Sequence, residues 1–457
     1  MTTILPQENQ TFGETASRDR AQAEPSTDDR PRLADTPLTS PWPQSWPVRA
    51  WIAACRTFRA FLGLGSLIVC LAIVAAVPLL NFLSLGYLLE ASGRVARSGR
   101  LRDGFIDLDK FARLGSLLLG TWLCLWIPQL VGSLAADAWL IDPGSAVARG
   151  WRLAYVISTM AVLGHILLAW YSGGRLRHFF WPVLAPFQFG SWLLWRYVLG
   201  PVIRPTLRPI WPTLAADLEF SRPVASWFPP AIFLDGWRRG KMFAESRDAV
   251  WNYVVGLGLP HYWWLGLRGF LGGLAWLAVP TLMLMAGTSG RGGASVLVGY
   301  LGAIALGYVL LYLPILQTRF AQENRWRAIF DLACAKELFR RAPLRCWLAL
   351  TLTLGLALPL FLLKIEPPPR ELWWTLTLFF ILFIYPARIL TGWAVHRAQR
   401  RVQPSAWPWL WLARLAAVPV IAIYLFILFF TQYTSFLGPA SLLEQHAFLL
   451  PVPFAGL

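Results

Sequence analysis

"VPLLNFLSLGYLLEASGRVARSGR", Val77–Arg100, starts as apolar as a lipid tail and ends as an arginine helix. A greasy run that gives way to clustered base reads as a membrane segment ending on its basic, cytoplasmic side. The same alternation recurs outward along the chain. It predicts an all-α polytopic membrane helix bundle of seven to eight membrane segments, with amphipathic helices on the cytoplasmic face.

Composition agrees. Hydrophobic residues make up 56% of the 457-residue chain and charged residues 14%, against roughly 25% charged in soluble domains. Mean hydropathy is +0.50. Apolar runs near the ~20 residues a helix needs to cross a bilayer lie at Phe61–Leu89, Leu114–Leu140, Leu153–Tyr171, Trp263–Ala286, Val296–Leu316, Trp347–Leu363, Trp373–Leu390 and Leu410–Thr431. Phe179–Gly200 is also apolar, but Pro182, Pro186 and Arg196 interrupt it, so it reads as interfacial. Residues 1–48 are rich in Pro, Ser, Thr and mixed charge and read as a disordered tail ahead of a membrane domain over 49–457. Apolar sequence begins too late for a short basic leader. Many of the Trp residues fall at span ends, as an aromatic belt.

Net charge is +17. In a soluble chain this points to nucleic acid. Here the positive-inside rule accounts for it, and no nucleic-acid partner is expected. Base crowds residues 90–113, 172–262, 317–346 and 391–408, with Arg388 counted among the last group, while the connections between are nearly free of it. These four stretches are therefore assigned to the cytoplasm and the C-terminus to the outside. Arg49, Arg56 and Arg59 put the N-terminus inside as well. One ordinary span over 61–89 cannot satisfy both ends. A re-entrant hairpin turning at Pro78–Asn81 can, because Pro breaks the helix and Asn81 is placed to take up freed backbone groups. A single tilted span, with Phe179–Gly200 also crossing, is the competing topology. Residues 175–261 form a cytoplasmic or interfacial region with an amphipathic helix near Asp235–Val255.

Leu313–Phe330, "LPILQTRFAQENRWRAIF", repeats the pattern of the opening stretch: P-[LI]-L-[NQ], with Pro78 and Asn81 answered by Pro314 and Gln317, then an arginine-rich helix. "GGRLRHFFWP" and "GWAVHRAQRR" follow the two later hairpins. Duplication and chance recurrence of Pro both remain open, since Pro is common in membrane helices.

"PLLNFLSLGYLLEASGRVARSG" with "FIDLDKFARLG" resembles the start of the bacterial membrane domain of unknown function 4013. "LRGFLGGLAWLAVPTLML" and "RFAQENRWRAIFD" resemble parts of related proteins. The resemblance covers about residues 61–171 and 266–357. It implies a bacterial cytoplasmic-membrane protein and no reaction.

Direct signs of chemistry are few. Cys55, Cys70, Cys124, Cys334 and Cys346 include no C-x-x-C pair, and the five histidines show no metal-ligand spacing. No catalytic, cofactor-binding or metal residues are assigned, and no cofactor is expected. Intramembrane polar residues are His165, Asp137 and Asn81, for which helix-packing hydrogen bonds compete with a relay role. Ser295, Gly299, Ala303 and Gly307, with Gly269 and Gly273 on the preceding span, form small-residue ladders suited to close helix packing. Gln317–Arg345 reads as one interfacial helix with an apolar stripe of Trp326, Ile329, Phe330 and Ala333 and with Glu323–Arg327 and Glu337–Arg341 pairs. Together with Arg94, Arg97 and Arg100, its Arg319, Arg325, Arg327, Arg340 and Arg341 make a candidate collar for anionic lipid or a protein partner. Two function classes stand: a non-catalytic membrane protein with a basic cytoplasmic face, and a transporter or permease. An intramembrane enzyme ranks behind both.

Overall fold

The structure is a computed structural model that describes residues 46–194, 227–290, 292–363, 373–434 and 442. The expected tail, the end of the Phe179–Gly200 stretch and nearly all of the segment beyond 434 lie outside the described residues. Those described are 89% helical and contain no strand. The helices are α1 Trp46–Ala76, α2 Asn81–Ser98, α3 Leu108–Ile141, α4 Ala146–Tyr171, α5 Leu176–Phe179, α6 Trp181–Leu194, α7 Pro229–Arg238, α8 Met242–Gly256, α9 Leu259–Ser289, α10 Gly293–Glu323, α11 Leu332–Arg341, α12 Pro343–Leu363, α13 Trp373–Gln399 and α14 Trp407–Thr434. Seven segments, on α1, α3, α4, α8 with α9, α10, α13 and α14, are long and apolar enough to cross a membrane. They mark a multi-pass membrane protein. α12 carries a shorter apolar segment, Pro343–Ala357.

The opening stretch does turn back on itself. α1 stops at Ala76, Leu79 takes a left-handed φ of 67°, and Asn81 N–H donates to Val77 O at 3.1 Å. No helix continues through that φ. α1 and α3 run the same way: Arg59 meets Asp109, and Ser66 sits against Phe111 and Gly115. Near its far end, Ala72 O accepts from Thr377 Oγ1 of α13 at 2.8 Å. α2 then returns along α13, with Tyr87 beside Tyr385 and Ala96 O 2.9 Å from His396 Nδ1. The first limb is longer than expected, a 31-residue helix that begins at Trp46 and is long enough to span, because the helix extends back past Phe61 through the segment that carries Arg49–Arg59.

α2 is the hub of the bundle, although it is among the less apolar helices. Thirteen of its 18 residues are buried. Small residues make this possible. A Cβ on Gly86 would lie 1.8 Å from Tyr262 O, and one on Gly266 of α9 would lie 1.9 Å from Phe82 O. The two helices therefore cross in backbone contact. The crossing is steep: His261 and Gly269 both reach the Leu89–Glu90 end of α2, whereas Trp263 and Phe270 both reach the Leu79–Phe82 end. Gly93 meets Ala321 of α10, and Gly392 of α13 meets Ser92 O. Ser84 and Ser92 satisfy their hydroxyls on their own helix, donating to Asn81 O and Leu89 O at 2.8 Å. Polar hydroxyls are thus tolerated at a contact that large side chains would block.

The backbone reveals a repeat in a different register from P-[LI]-L-[NQ]. Gly99 and Asn324 are both left-handed helix C-caps, with φ 75° and 52°. Arg100 and Arg325 follow in extended conformation, and a 3₁₀ turn comes next, Leu101–Gly104 or Trp326–Phe330. The equivalent residues are then Tyr87 and Tyr312, Leu88 and Leu313, Arg94 and Arg319, Ala96 and Ala321, and Arg102 and Arg327, while Asp107 and Asp331 end the two loops one position out of step. A third copy of the loop alone follows α4, where "GGRLRHFF" places Gly174 at φ 65°, Arg175 extended and α5 as the short helix. Pro78 and Pro314 are therefore not counterparts. Pro314 stays inside α10, since its fixed φ suits a helix and lipid tolerates the lost bond when neighbours cover it.

Three further expectations change. Gln317–Arg345 is not one helix, because the left-handed Asn324 ends α10. Its apolar stripe is replaced by Ala335, Leu338 and Phe339 on α11, with Ile329 buried and Trp326, Phe330 and Ala333 exposed. Asp235–Val255 is split into α7 and α8 at Gly240, whose φ is 66°. Arg388 belongs to no loop. It is buried within α13, where its Nη1 donates to Gln317 Oε1 at 2.6 Å.

Candidate functional site: the arginine-rich end

The basic connections meet at one end of the bundle. Gln322 and Gln399 pair through their amides at 2.8 and 3.1 Å. Ser405 N–H donates to Arg340 O at 3.0 Å, and Tyr253 Oη donates to Lys110 O at 3.0 Å. Sequence alone divides these arginines from the apolar spans. The structure divides them again, into those engaged by acids and those with no ion-pair partner among the described residues.

Among the candidate collar residues, Arg94, Arg97, Arg319, Arg340 and Arg341 are engaged by acids. Glu90, one-tenth exposed, accepts from Arg94 Nε at 3.1 Å and Arg97 Nη2 at 2.6 Å, with His261 Nε2 at 3.8 Å from its other oxygen. Arg97 also donates to Ala321 O and Gln322 O, at 3.2 and 3.0 Å, so it ties the ends of α2 and α10 together. Arg319 pairs with Glu323 and, at 3.1 Å, with Asp331. Asp331 also caps α11 by accepting from Cys334 N at 3.0 Å. That N–H, with Arg319 beside it, holds the Asp331 carboxyl below the usual carboxylate range. Glu337 pairs with Arg340 and Arg341. The expected Glu323–Arg327 pair does not form, because the chain turns between them.

Arg100, Arg325 and Arg327 remain, and Arg102 joins them. All four are exposed, and none has an ion-pair partner among the described residues. They lie on the two equivalent 3₁₀ loops. Sequence patterning placed all these bases on one face but had no means of separating the engaged from the free.

A second part of this end was missed from sequence. Arg345 of α12 and Arg397 of α13 both lie over the ring of Trp393, at 5.8 and 5.7 Å. Beside them a groove of about 270 Å³ is lined by Ala342, Pro343, Leu344, Arg345, Arg401, Ser405 and Trp409. Arg401 is held toward it by Ser405 Oγ at 3.2 Å. The available signal was the spacing of "RCW" and "RRVQPSAWPW", which brings base and Trp together only after folding.

The intramembrane polar residues are not brought together. His165 Nε2 lies 2.7 Å from Phe179 O, a packing bond between α4 and the α5 turn. Asp137 is exposed on α3, and Asn81 is buried at the start of α2. The glycine ladder splits. Gly299 and Ser295 face Gly287 of α9 and Gly290 just after it, whereas Gly307 faces Ile421 and Leu425 of α14. Ala303 packs into the core, Gly269 meets Leu89 of α2, and Gly273 is buried. The physical reason is that α10 has different neighbours along its length. His178, in the third loop copy, is buried, and that burial with Arg177, Arg175 and Arg113 pushes its pKa down to about 3.

No family model, no curated protein and no solved structure matches the chain. Among the described residues no group of His, Cys, Asp and Glu is placed to hold a metal ion.

Proposed function

We propose that the protein is a non-catalytic multi-pass membrane protein whose arginine-rich end lies at the cytoplasmic face and holds anionic lipid. A bacterial cytoplasmic membrane, as the likeness to the domain of unknown function 4013 implies, is part of the same proposal. One observation carries the reading: Glu90, Glu323 and Glu337 pair with Arg94, Arg97, Arg319, Arg340 and Arg341, while the exposed Arg100, Arg102, Arg325 and Arg327 have no ion-pair partner among the described residues. Each such base near an anionic leaflet contributes about 1 kcal/mol. Orientation follows from the positive-inside rule. The test is the quadruple change of these four arginines to Gln. It should lower co-purifying anionic lipid in a salt-sensitive way, with topology unchanged by cysteine labelling at Ser98. An unchanged lipid complement in protein of unchanged topology refutes the reading, leaving the four arginines as orientation signals alone.

A transporter is the second reading, and the buried Arg388 favours it, because a charge inside a spanning helix is a functional candidate. It ranks second because Arg388 joins α13 to α10 through Gln317, and the opening lined by Pro314, Thr391 and Ala394 holds only about 10 Å³.

A further inference from the structure

We infer that the groove between the α11–α12 corner and the start of α14 is a discrete site for one anionic phospholipid. The site lies apart from the exposed 3₁₀ arginines, and the inference rests on the membrane reading above. Arg345, Arg397, Arg400 and Arg401 have no carboxylate partner among the described residues, and the nearby Glu337 is already shared by Arg340 and Arg341. Two guanidinium groups held over one Trp393 ring, at 5.8 and 5.7 Å from its centroid, are like charges that repel each other. An anion beside them offsets that repulsion, and a phosphate suits the planar donors of arginine. Ser405 Oγ donates to Arg341 O at 3.0 Å and so holds the groove wall in place.

The occupant is a lipid, not free phosphate, because the groove opens onto exposed apolar surface. Leu344 and Leu348 of α12 and Trp409, Leu412 and Leu415 of α14 are all exposed. Their helices run into the spanning part of the bundle, so a headgroup at Arg345 and Arg401 leaves its acyl chains along these residues. Trp409 sits where indole rings mark a membrane interface.

The test uses the full chain in phosphatidylcholine nanodiscs titrated with phosphatidylglycerol, read by native mass spectrometry after gentle activation. The parent should retain one phosphatidylglycerol, which inorganic phosphate does not displace. The double variant Arg345→Gln with Arg401→Gln should bind it about 30-fold more weakly, about fivefold per arginine. The quadruple variant of Arg100, Arg102, Arg325 and Arg327 should still retain it. Retention by the double variant overturns the site while leaving the proposed function standing. Displacement by inorganic phosphate overturns the lipid assignment. Loss in the double variant, with an unaltered lipid complement in the quadruple variant, supports the site and overturns the reading of the 3₁₀ loops. Leu344→Asn with Leu412→Asn, which keeps the charges, should weaken retention but leave a bare phosphate contact unaffected.

Discussion

The stretches Tyr87–Leu108 and Tyr312–Leu332 share residues and backbone, yet they spend their charges differently. Each runs from a Tyr-Leu pair through an arginine-bearing helix, a left-handed cap, an extended arginine and a 3₁₀ turn to an Asp. In the first, the arginines turn back along the helix to Glu90, whose counterpart in the second is Ile315. In the second, Arg319 turns forward to Glu323 and Asp331. The same backbone thus locks to different neighbours, and the difference lies in what each helix crosses. α2 crosses α9 in backbone contact at Gly86, while the counterpart of Gly86 is Leu311.

Exchange of these two residues should give the largest effect. Gly86→Leu puts a side chain into Tyr262 O and should cost more than about 3 kcal/mol, the upper end for overpacking. Little monodisperse protein should survive size-exclusion chromatography. Leu311→Gly should leave folded protein with a lower melting temperature. Equal behaviour of the two variants would mean that α2 and α9 do not cross as described.

Making the copies alike at Glu90 comes next. Glu90→Ile strips Arg94 and Arg97 of their acid. It should cost about 1–3 kcal/mol, less than a fully buried pair, because both arginines are half-exposed. Tryptophan-monitored melting in detergent should show the loss, and it should shrink when Arg94 and Arg97 are also changed to Gln. A melt identical to the parent would show that this ion triad contributes nothing.

The third loop copy sharpens the comparison with a smaller effect. His178 stands where the first copy has the exposed Asp103. Its folded pKa lies below the ordinary 6.5, at about 3. Unfolded chain therefore binds the proton first, and stability is full above about 6.5 and falls as pH drops toward about 3. Between pH 7.5 and 5.5 the parent should lose about 1 kcal/mol that the His178→Asn variant does not. A parallel pH profile for both would place His178 in contact with water.

Legibility follows range along the chain. The spans were readable because hydropathy sums over neighbours, and Val77–Arg100 showed its turn because Pro78 acts on its own backbone. The wrong repeat register came from the same source: Pro78 and Pro314 look alike locally, but only Pro78 precedes a left-handed residue. Small residues drew attention to α10. A tighter contact lies on α2, at Gly86, which is hidden among leucines. Arg388 read as a loop residue since it sits near the end of an apolar run, and nothing beside it in sequence names Gln317.

By itself the sequence determined the helical membrane class, the gathering of base on alternate connections and the break at Pro78. These depend on transfer free energy and φ preference, properties of single residues and their nearest neighbours. Only the tertiary structure decided that α2 is the hub, which arginines Glu90, Glu323, Asp331 and Glu337 neutralise, and that Arg345 and Arg397 share Trp393. Coulomb and packing terms act over a few ångströms, and the folded path alone sets which residues distant in sequence come that close.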